Sequence, residues 1–476
     1  MHTEKSTGYS LGMVGLGTMG RNLLLNLANN GFKVTGYDKN AEMIALLKEE
    51  GKAHKLEAYS DIEKFIASIE TPRTIILLVP AGAIVDSVIQ ELTPLLAEGD
   101  IIIDSGNSHF TDTARRSSEL EKVNINFFGM GISGGEEGAR KGPSMMPGGN
   151  KDAYSVVEKM FDAIAAKVDG VPCVTYIGPG ASGHYVKMVH NGIEYAIMQL
   201  LAEVYQLLKE GLNLSNEEIY ATLDTWNKGR LGSFLLEITR DIFLFKDVKT
   251  GNYLVDMIKD EARSKGTGKW TSQEAMDLEV PIPTIDAAVS TRNLSKLKSL
   301  RLKLESQLKK AESPTPTLIN TDDIENAFFY AMVSAYAQGM HMLHQASTTY
   351  NYDLNLSSIA KIWRGGCIIR SKFLNEMYEA FEKQADLTHL FEDTNIHEAV
   401  EASKIATHKV ADFATTSNIA IPCLSASINY YNILHTGRMS SNLTQAQRDF
   451  FGAHTFERID EDGIFHADWN GISPQA

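Results

Sequence analysis

The chain has 476 residues, 43% hydrophobic and 22% charged, and is long enough for two or three domains with sizeable cores. Its formal net charge of −15 excludes general binding to nucleic acid or to an anionic membrane surface, so an anion site must gather lysines and arginines locally. The three cysteines are far apart, which fits a reducing compartment and gives no metal-ligand spacing. No apolar run approaches the roughly 20 residues that cross a bilayer, and no signal-peptide core is present. We therefore expect a cytoplasmic protein.

A glycine-rich turn follows the first apolar run. Residues 11–14 predict a strand, and G-L-G-T-M-G follows with the G-x-G-x-x-G spacing of a dinucleotide-binding turn. Such glycines permit a tight turn, close approach of a pyrophosphate and close packing of the next helix, whose N-terminus holds the phosphates. An amphipathic helix and a strand at residues 32–37 complete the unit. We expect the turn to bind a dinucleotide through Gly15, Leu16, Gly17, Thr18, Met19 and Gly20.

Asp38 ends the second predicted strand, about 20 residues after the glycines, where an acid holds the ribose 2′-OH. A carboxylate accepts a hydrogen bond from a 2′-OH and repels a 2′-phosphate, so Asp38 favours NAD over NADP. The neighbouring Lys39 leaves NADP open, because a lysine can pair with a phosphate, although a solvated loop lysine explains it as well.

Strands and helices continue to alternate, with strands at residues 74–79, 101–104 and 125–128 and helices at 84–96 and 113–120. This order predicts a parallel, doubly wound α/β sheet of the Rossmann type. Loops at residues 79–82, 104–108 and 129–135 then follow the carboxyl ends of strands, where ligands bind. In the last loop, Ser133, Gly134 and Gly135 present backbone N–H groups to an anionic substrate, or form a flexible connector.

A further pair of strands is expected near residue 169 and at residues 174–177, before a boundary at G-P-G. Beyond it, helical periodicity dominates and predicts an all-α domain. L-N-L-S occurs at residues 212–215 and 354–357, each time followed by a tryptophan and by F-L-x-E, which suggests a duplicated helical unit. We predict a dinucleotide-binding domain at residues 1–178, a helical domain at 179–439 and a tail at 440–476 that docks on this chain or on another copy.

Residues 182–201 predict a buried helix with one polar stripe. Lys187, His190, Asn191 and Glu194 lie at i, i+3, i+4 and i+7, and apolar residues occupy the opposite side. A base, an acid and two hydrogen-bonding groups on one face of an apolar helix most plausibly line a cleft. The alternative is an amphipathic helix with a solvated face.

Other motifs are less specific. Residues 263–270, R-S-K-G-T-G-K-W, resemble a phosphate loop but lack its first glycine and the Ser/Thr after the lysine, which excludes a P-loop NTPase. Lys265, Lys269 and Arg292 are candidate anion contacts, with ordinary surface cations as the alternative. His341 and His344 share a helix, but no carboxylate or cysteine spacing completes a metal site, so we expect no metal.

The glycine turn, D-S-G-N-S, G-x-S-G-G, K-M-V-H-N-G-I-E-Y, K-G-T-G-K-W and Q-R-D-F-F-G-A-H-T-F-E occur in this order. With these motifs the chain resembles the decarboxylating 6-phosphogluconate dehydrogenase family, in the β-hydroxyacid dehydrogenase superfamily, from about residue 11 to 457. The resemblance implies oxidative decarboxylation of 6-phosphogluconate to ribulose 5-phosphate and CO2 with NAD(P), in the pentose phosphate pathway. It also implies a homodimer whose tails enter the partner subunits.

Carried over by motif, Lys187 is the general base and Glu194 the acid. The resemblance implies that the sugar-acid end of the substrate meets Asn107, Ser133, Gly134, Gly135, His190 and Asn191. Around its phosphate it places Tyr195, Lys265, Arg292 and, from the other subunit, Arg448 and His454. We expect the cofactor to be contacted by Asp38, Lys39, Asn40, Val79, Pro80, Ala81 and Asn107.

This chain departs from the family pattern at the cofactor. Members that use NADP usually have Asn-Arg-Thr where this chain has Asp38, Lys39 and Asn40, and a lysine where it has Pro80. Two rival functions stay open. One is a related dehydrogenase of a small unphosphorylated acid, which the predicted phosphate-binding cluster disfavours. The other is a catalytically silent dinucleotide sensor, which the intact Lys187 and Glu194 disfavour.

Overall fold

The computed structural model describes residues 8–54, 56–307 and 317–469. The chain falls into two units, Met1–Ser427 and Ile428–Ala476, which we describe separately. Within the described residues, no helix combines the length and apolar character needed to cross a membrane.

The first unit begins with a seven-stranded sheet in the order β3-β2-β1-β4-β5-β6-β7. Strands β1 to β6 are parallel, and β7 is antiparallel to β6. A separate hairpin, β8 and β9, follows. The strands are β1 (Leu11–Val14), β2 (Val34–Tyr37), β3 (Glu57–Tyr59), β4 (Thr74–Leu77), β5 (Ile101–Asp104), β6 (Asn126–Ser133), β7 (Ser144–Gly149), β8 (Lys167–Val168) and β9 (Val171–Pro172).

Two hydrophobic cores cover the faces of the sheet. Met13 and Ile76 belong to one core, whereas Val14, Ile75 and Leu77 belong to the other. Because alternate residues of a strand point to opposite faces, the sheet is covered on both sides, as a parallel sheet requires. The helices of this part are α1 (Thr18–Asn29), α2 (Ala41–Glu50), α3 (Ile62–Ala67), α4 (Ala83–Leu92), α5 (Phe110–Glu121), α6 (Gly135–Lys141) and α7 (Lys151–Ile164).

From Ser182 onward the described residues are mainly helical, which confirms the predicted fold class. A long helix, α8, packs against α12, α13 and α15 as well as against β6 and β7. These helices are α8 (Ser182–Gln206), α9 (Asn216–Lys228), α10 (Phe234–Ile242), α11 (Leu254–Met257), α12 (Thr267–Asp277), α13 (Pro283–Ser295), α14 (Lys298–Glu305), α15 (Thr321–Tyr350), α16 (Leu356–Trp363), α17 (Phe373–Lys383), α18 (Thr394–Thr416), α19 (Pro422–Leu434) and α20 (Ser441–Gly452).

Two of the predicted local structures are wrong. Most of the predicted loop at residues 129–135 is strand, because β6 continues to Ser133 by pairing with β7, which the sequence did not predict. The last strand pair is the short β8–β9 hairpin, which turns at Asp169 and Gly170, both with positive φ. Residues 174–177 contribute only a single bridge, from Val174 to Met145, instead of the predicted strand.

Both copies of L-N-L-S precede the same order of elements. The first leads into α9 and then α10, and the second into α16 and then α17. Ser215 caps α9 through its side chain, whereas Asn355 caps α16, so the motif is offset relative to the two helix starts. An antiparallel bridge from Ser233 to Ser371 joins the residues that precede α10 and α17.

The second unit contains α20 and the chain that follows it. The buried Asp449 carboxylate accepts hydrogen bonds from the backbone N–H groups of Thr455 and Ala467, from the Trp469 indole and from His466 Nδ1. Hydrogen bonds to this one carboxylate hold the segment together, which fits the expectation that the segment is too short to form its own apolar core.

Arg116 ties together two loops at the carboxyl edge of the sheet. Its side chain is 1% exposed and lies on α5. It donates from Nη2 to the carbonyl of Gly82, after β4, and from Nη1 to Ser108 Oγ, after β5. It also pairs with Asp86 at 2.7 Å and with the buried Asp104 at 3.4 Å. One guanidinium therefore fixes two of the three loops at which we expect a ligand to bind.

Replacing Arg116 by methionine should lower the free energy of unfolding by about 3–5 kcal/mol, because it leaves the buried Asp104 without its cation. Arg115→Met is the matched control. Arg115 also pairs with Asp86, at 2.8 Å, but is 44% exposed, so its loss should cost no more than about 1 kcal/mol. Chemical denaturation of both variants measures the difference, and equal losses would contradict the role of Arg116.

Candidate active site

The predicted polar stripe lies on α8 and is largely buried. Lys187 is 6% exposed, His190 0% and Asn191 7%, while the Glu194 side chain is 23% exposed. Lys187 Nζ lies 3.2 Å from His190 Nδ1, and Glu194 Oε2 lies 3.9 Å from the same nitrogen. The helix thus brings a base, an imidazole and an acid into one continuous cluster.

Glycines allow α8 to rest directly on the sheet. A Cβ on Gly183 would lie 2.3 Å from the carbonyl oxygen of Met146, in β7, and 2.4 Å from that of Gly129, in β6. A Cβ on Gly131 would lie 2.3 Å from the Lys187 Cβ. Because only glycine permits such close approach, these residues press Lys187 against β6 and exclude water from its stem.

Burial shifts the two ionisable ends of the stripe in opposite directions. Desolvation lowers the pKa of the Lys187 amine, although the Glu194 carboxylate opposes the shift. Desolvation raises the pKa of Glu194, although the Lys187 and Arg292 cations oppose it. Each shift favours the neutral form, which is the form in which the lysine accepts a proton and the glutamic acid donates one.

His190 links Lys187 to Ser133. Desolvation, reinforced by the nearby Lys187 charge, holds the pKa of His190 well below its usual range, so the ring is neutral and carries one proton. Its Nε2 lies 3.2 Å from Ser133 Oγ, and its Nδ1 also lies 3.2 Å from Asn191 Oδ1. When Lys187 is protonated and donates to Nδ1, the ring proton must be on Nε2 and donate to Ser133. The protonation state of Lys187 is thereby coupled to the hydroxyl of Ser133.

The two glycines after Ser133 have backbone conformations that favour glycine, with φ of 119° at Gly134 and 63° at Gly135. A Cβ on Gly134 would also lie 2.5 Å from the carbonyl oxygen of Gly366. Residues 133–135 therefore form a tight turn that connects β6 to α6, next to His190.

Sequence reasoning missed the segment that closes this side of the cleft. Trp363 packs edge-on against the His190 ring, with 5.5 Å between centroids, and the Ile368 N–H donates to Ser133 Oγ at 3.3 Å. Cys367 is buried, and its pKa is raised to about 12 by desolvation, with Lys187 acting in the opposite direction. The only sequence signal was the W-R-G-G-C run, in which paired glycines indicate a close backbone approach.

Tyr195 and Arg292 lie at the far end of the stripe. The Arg292 guanidinium, on α13, stacks over the Tyr195 ring at 3.6 Å from its centroid. Gly268 packs on the same ring, since a Cβ there would lie 2.5 Å from it. Lys265 is exposed and precedes α12. A cation held in place by stacking, near Glu194, suits the binding of an anionic group.

Two cavities follow the carboxyl edge of the sheet. The larger, of about 570 Å³, contains Lys265 and Asn107, and the other, of about 440 Å³, surrounds Asp38. Both include Val79 and Pro80, at the point where the strand order reverses beside β1, which is where open α/β sheets bind ligands. The larger cavity is lined by Met19, Leu78, Val79, Pro80, Ala81, Gly82, Ser105, Gly106, Asn107, His109, Asp112, Ile132, Lys265 and Trp270.

The glycine turn fits a dinucleotide. Gly15 has a φ of 94°, and a Cβ on Gly20 would lie 1.9 Å from the carbonyl oxygen of Gly15, so both positions require glycine. A Cβ on Gly17 would meet nothing within 4 Å, which leaves open space at the N-terminus of α1 for a pyrophosphate. Thr18 is exposed beside this space, whereas the Leu16 side chain lies in the core.

Asp38 is held by backbone donors. Its Oδ2 accepts from the Leu16 N–H at 2.7 Å and its Oδ1 from the Asn40 N–H at 2.8 Å. Lys39 pairs with Glu91 at 2.6 Å, and both residues line the cavity around Asp38. The Asn40 side chain caps α2. The charge that Lys39 could offer to a phosphate is therefore offset by a carboxylate that the sequence did not reveal.

Arg448 and His454 belong to the second unit and are exposed there. Arg448 Nη1 donates to Gln445 Oε1 at 3.0 Å, and His454 packs against Phe451. Their place in the substrate site of a partner subunit stays a prediction. Among the described residues, no three His, Cys, Asp or Glu side chains are grouped so as to hold a metal ion.

Two family models match the chain. The NAD binding domain of 6-phosphogluconate dehydrogenase matches residues 10–178, and the 6-phosphogluconate dehydrogenase C-terminal domain matches residues 183–469. The chain is 46% identical over 462 residues to the NADP(+)-dependent, decarboxylating 6-phosphogluconate dehydrogenase of Bacillus subtilis, covering 96% of this chain and 98% of that protein. It is 47% identical, with the same coverage, to the decarboxylating enzyme of Salmonella typhimurium.

A solved structure is similar over nearly the whole chain. The 6-phosphogluconate dehydrogenase of Plasmodium falciparum, studied alone and in complexes with NADP+ and with 6-phosphogluconate, has a TM-score of 0.94 and 41% identity. The similarity covers 97% of this chain and 100% of that one. Together with the buried Lys187 and the partly exposed Glu194 on one face of α8, these similarities show that the chain belongs to the 6-phosphogluconate dehydrogenase family.

Proposed function

We propose that this cleft oxidatively decarboxylates 6-phosphogluconate to ribulose 5-phosphate and CO2, with NAD(P) as the hydride acceptor, in the pentose phosphate pathway. The observation that carries the proposal is the pair of Lys187, which is buried, and Glu194, which is partly exposed, on one face of α8. Their pKa values are shifted toward each other. Both lie beside a sheet edge whose glycine turn fits a dinucleotide.

Lys187 performs the first proton transfer. As a neutral amine it accepts the proton of the substrate's C3 hydroxyl, and the nicotinamide, when bound, accepts the C3 hydride. Lys187 is then an ammonium group and donates a hydrogen bond to the new carbonyl oxygen. This stabilises the enolate that forms as CO2 leaves the β-keto acid.

Glu194 completes the reaction. Because burial raises its pKa, it carries a proton near neutrality more often than a solvated glutamate does. It protonates C1 of the enediol, about two helical turns along α8 from the amine that polarises the C3 oxygen. Ser133, His190 and Asn191 hold the sugar-acid end between the two groups, with Asn107 and the backbone of Gly134 and Gly135.

The phosphate of the substrate binds at the Arg292 end of the stripe. Tyr195, Lys265 and Arg292 form one side of this subsite, and Arg448 and His454 of the partner subunit form the other. The proposal therefore includes a homodimer with exchanged tails. Exposed apolar side chains on the second unit support it, since Leu443 is 61% exposed, Phe451 73% and Ile464 75%, and a partner subunit would remove them from water.

Replacing Lys187 by methionine should reduce kcat at least about 100-fold, because the variant has no base for the hydroxyl proton. Binding of 6-phosphogluconate, measured by calorimetry without cofactor, should persist. Lys187→Arg keeps a positive charge that does not titrate in this range, so it should be equally inactive if the amine acts as a base. Lys159→Met, at an exposed position on α7, is the control. Undiminished turnover in either Lys187 variant would refute the assignment.

We further propose that NAD is preferred to NADP. The fixed Asp38 carboxylate suits a ribose 2′-OH and repels a 2′-phosphate, and Glu91 offsets the charge of Lys39 in the same cavity. The Bacillus subtilis relative is NADP(+)-dependent, so the proposal gives this chain a cofactor preference different from that of its relative.

Initial rates with NAD and NADP at matched concentrations test the cofactor proposal. The parent enzyme should favour NAD. Asp38→Asn should raise kcat/KM for NADP relative to NAD by at least about tenfold, since a like charge next to the 2′-phosphate costs several kcal/mol. Glu91→Gln, which frees Lys39, should shift the ratio in the same direction, whereas Glu63→Gln, on α3, should leave it unchanged. A clear NADP preference of the parent would contradict the role given to Asp38.

A further inference from the structure

A further polar cavity, of about 310 Å³, lies away from the two at the sheet edge, where α10 and α17 begin. We call it the cation cavity, because Arg364, Arg370 and Lys372 line it together with a single carboxylate, Glu237. Three cations and one anion leave a local charge of +2 in a chain whose net charge is −15. The full lining consists of Val168, Asn227, Gly232, Ser233, Glu237, Arg364, Arg370, Ser371, Lys372 and Asn375.

Each cation is held by the protein but keeps donors for a ligand. Arg370 donates from Nη2 to Glu237 at 2.9 Å, and Lys372 donates from Nζ to the carbonyl of Lys228 at 2.7 Å. Arg364 donates from Nη1 to Asn375 Oδ1 at 3.3 Å. A guanidinium has five N–H donors and an ammonium three, so these contacts orient the cations without exhausting them. Gathered donors of this kind suit a phosphate group.

The cation cavity and the catalytic cleft share one turn of chain. Residues 364–370 connect Arg364 to Arg370, and within them the Ile368 N–H donates to Ser133 Oγ. Cys367, in the same turn, lies within electrostatic reach of Lys187. The carbonyl of Gly366 accepts from the Ser144 N–H, in β7. A ligand that binds both arginines would therefore act on the turn that positions Ser133.

We propose that the cation cavity binds a small phosphate-bearing anion, separately from the substrate, and that its occupancy fixes the turn at residues 364–370. The volume admits a phosphate on a short carbon skeleton. This inference goes beyond the proposed function, because none of the lining residues belongs to the proposed substrate or cofactor sites.

Calorimetric titration of the full-length protein with inorganic phosphate tests the proposal. The parent should show two classes of site, one in the substrate cleft and one in the cation cavity. Arg370→Gln should weaken one class at least tenfold and leave the other unchanged. Arg292→Gln should do the reverse. Lys383→Gln, an exposed position at the end of α17, removes a cation outside the cavity and should keep both classes.

Asn375→Asp provides the variant that removes no cation. It keeps an oxygen acceptor for Arg364 and adds a negative charge to the cavity, so it should weaken the same class of site as Arg370→Gln does. If Arg370→Gln does not fold, Asn375→Asp still tests the proposal. A single class of site in the parent that both Arg370→Gln and Asn375→Asp leave unchanged, or two classes that both stay unchanged in Asn375→Asp, would overturn the proposal. A single class that Arg370→Gln weakens and Arg292→Gln leaves unchanged would instead support the cation cavity and count against the phosphate subsite of the proposed function, so the two proposals fail separately.

Discussion

The close contact of α8 with β6 and β7 determines the character of the whole cleft. Backbone lies against backbone at Gly183 and Gly129, and Gly131 lies against the stem of Lys187. A larger residue at any of these positions would lift the helix from the sheet and admit water beside the lysine. The contact therefore joins the dinucleotide-binding sheet to the helical domain and removes from solvent the amine that we propose as the base.

Desolvation shifts the pKa of a base, Lys187, and of an acid, Glu194, in opposite directions at the same time. An isolated buried lysine or glutamate would be costly to ionise, but here each group also meets the opposite charge of the other. Lys187 can therefore accept a proton, and Glu194 can donate one, at a modest cost in free energy. The neutral His190 ring lies between the two side chains. Arg116 contributes at a distance, since it fixes the loops after β4 and β5 that form the cavity wall.

The sequence predicted what depends on local periodicity and missed what depends on long-range pairing. The stripe on α8 and the glycine turn follow from spacing along a single element. Residues 129–133 form a strand because they pair with β7. Their glycines, which suggested a loop, allow α8 to pack closely against this strand. Trp363 contacts His190, and Ile368 contacts Ser133, across more than 150 positions of sequence in each case. The pairing of Lys39 with Glu91 is likewise set by the tertiary fold.

If burial makes Lys187 a base, the pKa of its amine must be lowered in the folded protein. Nuclear magnetic resonance of lysine labelled at Cε, with Lys187→Met to assign the signal, follows the titration of this one group. The pKa should lie below that of a solvated lysine and should decrease further in Glu194→Gln, because the carboxylate opposes the shift in the parent. A Lys187 pKa at or above the value of the exposed lysines would show that burial does not make this amine a base.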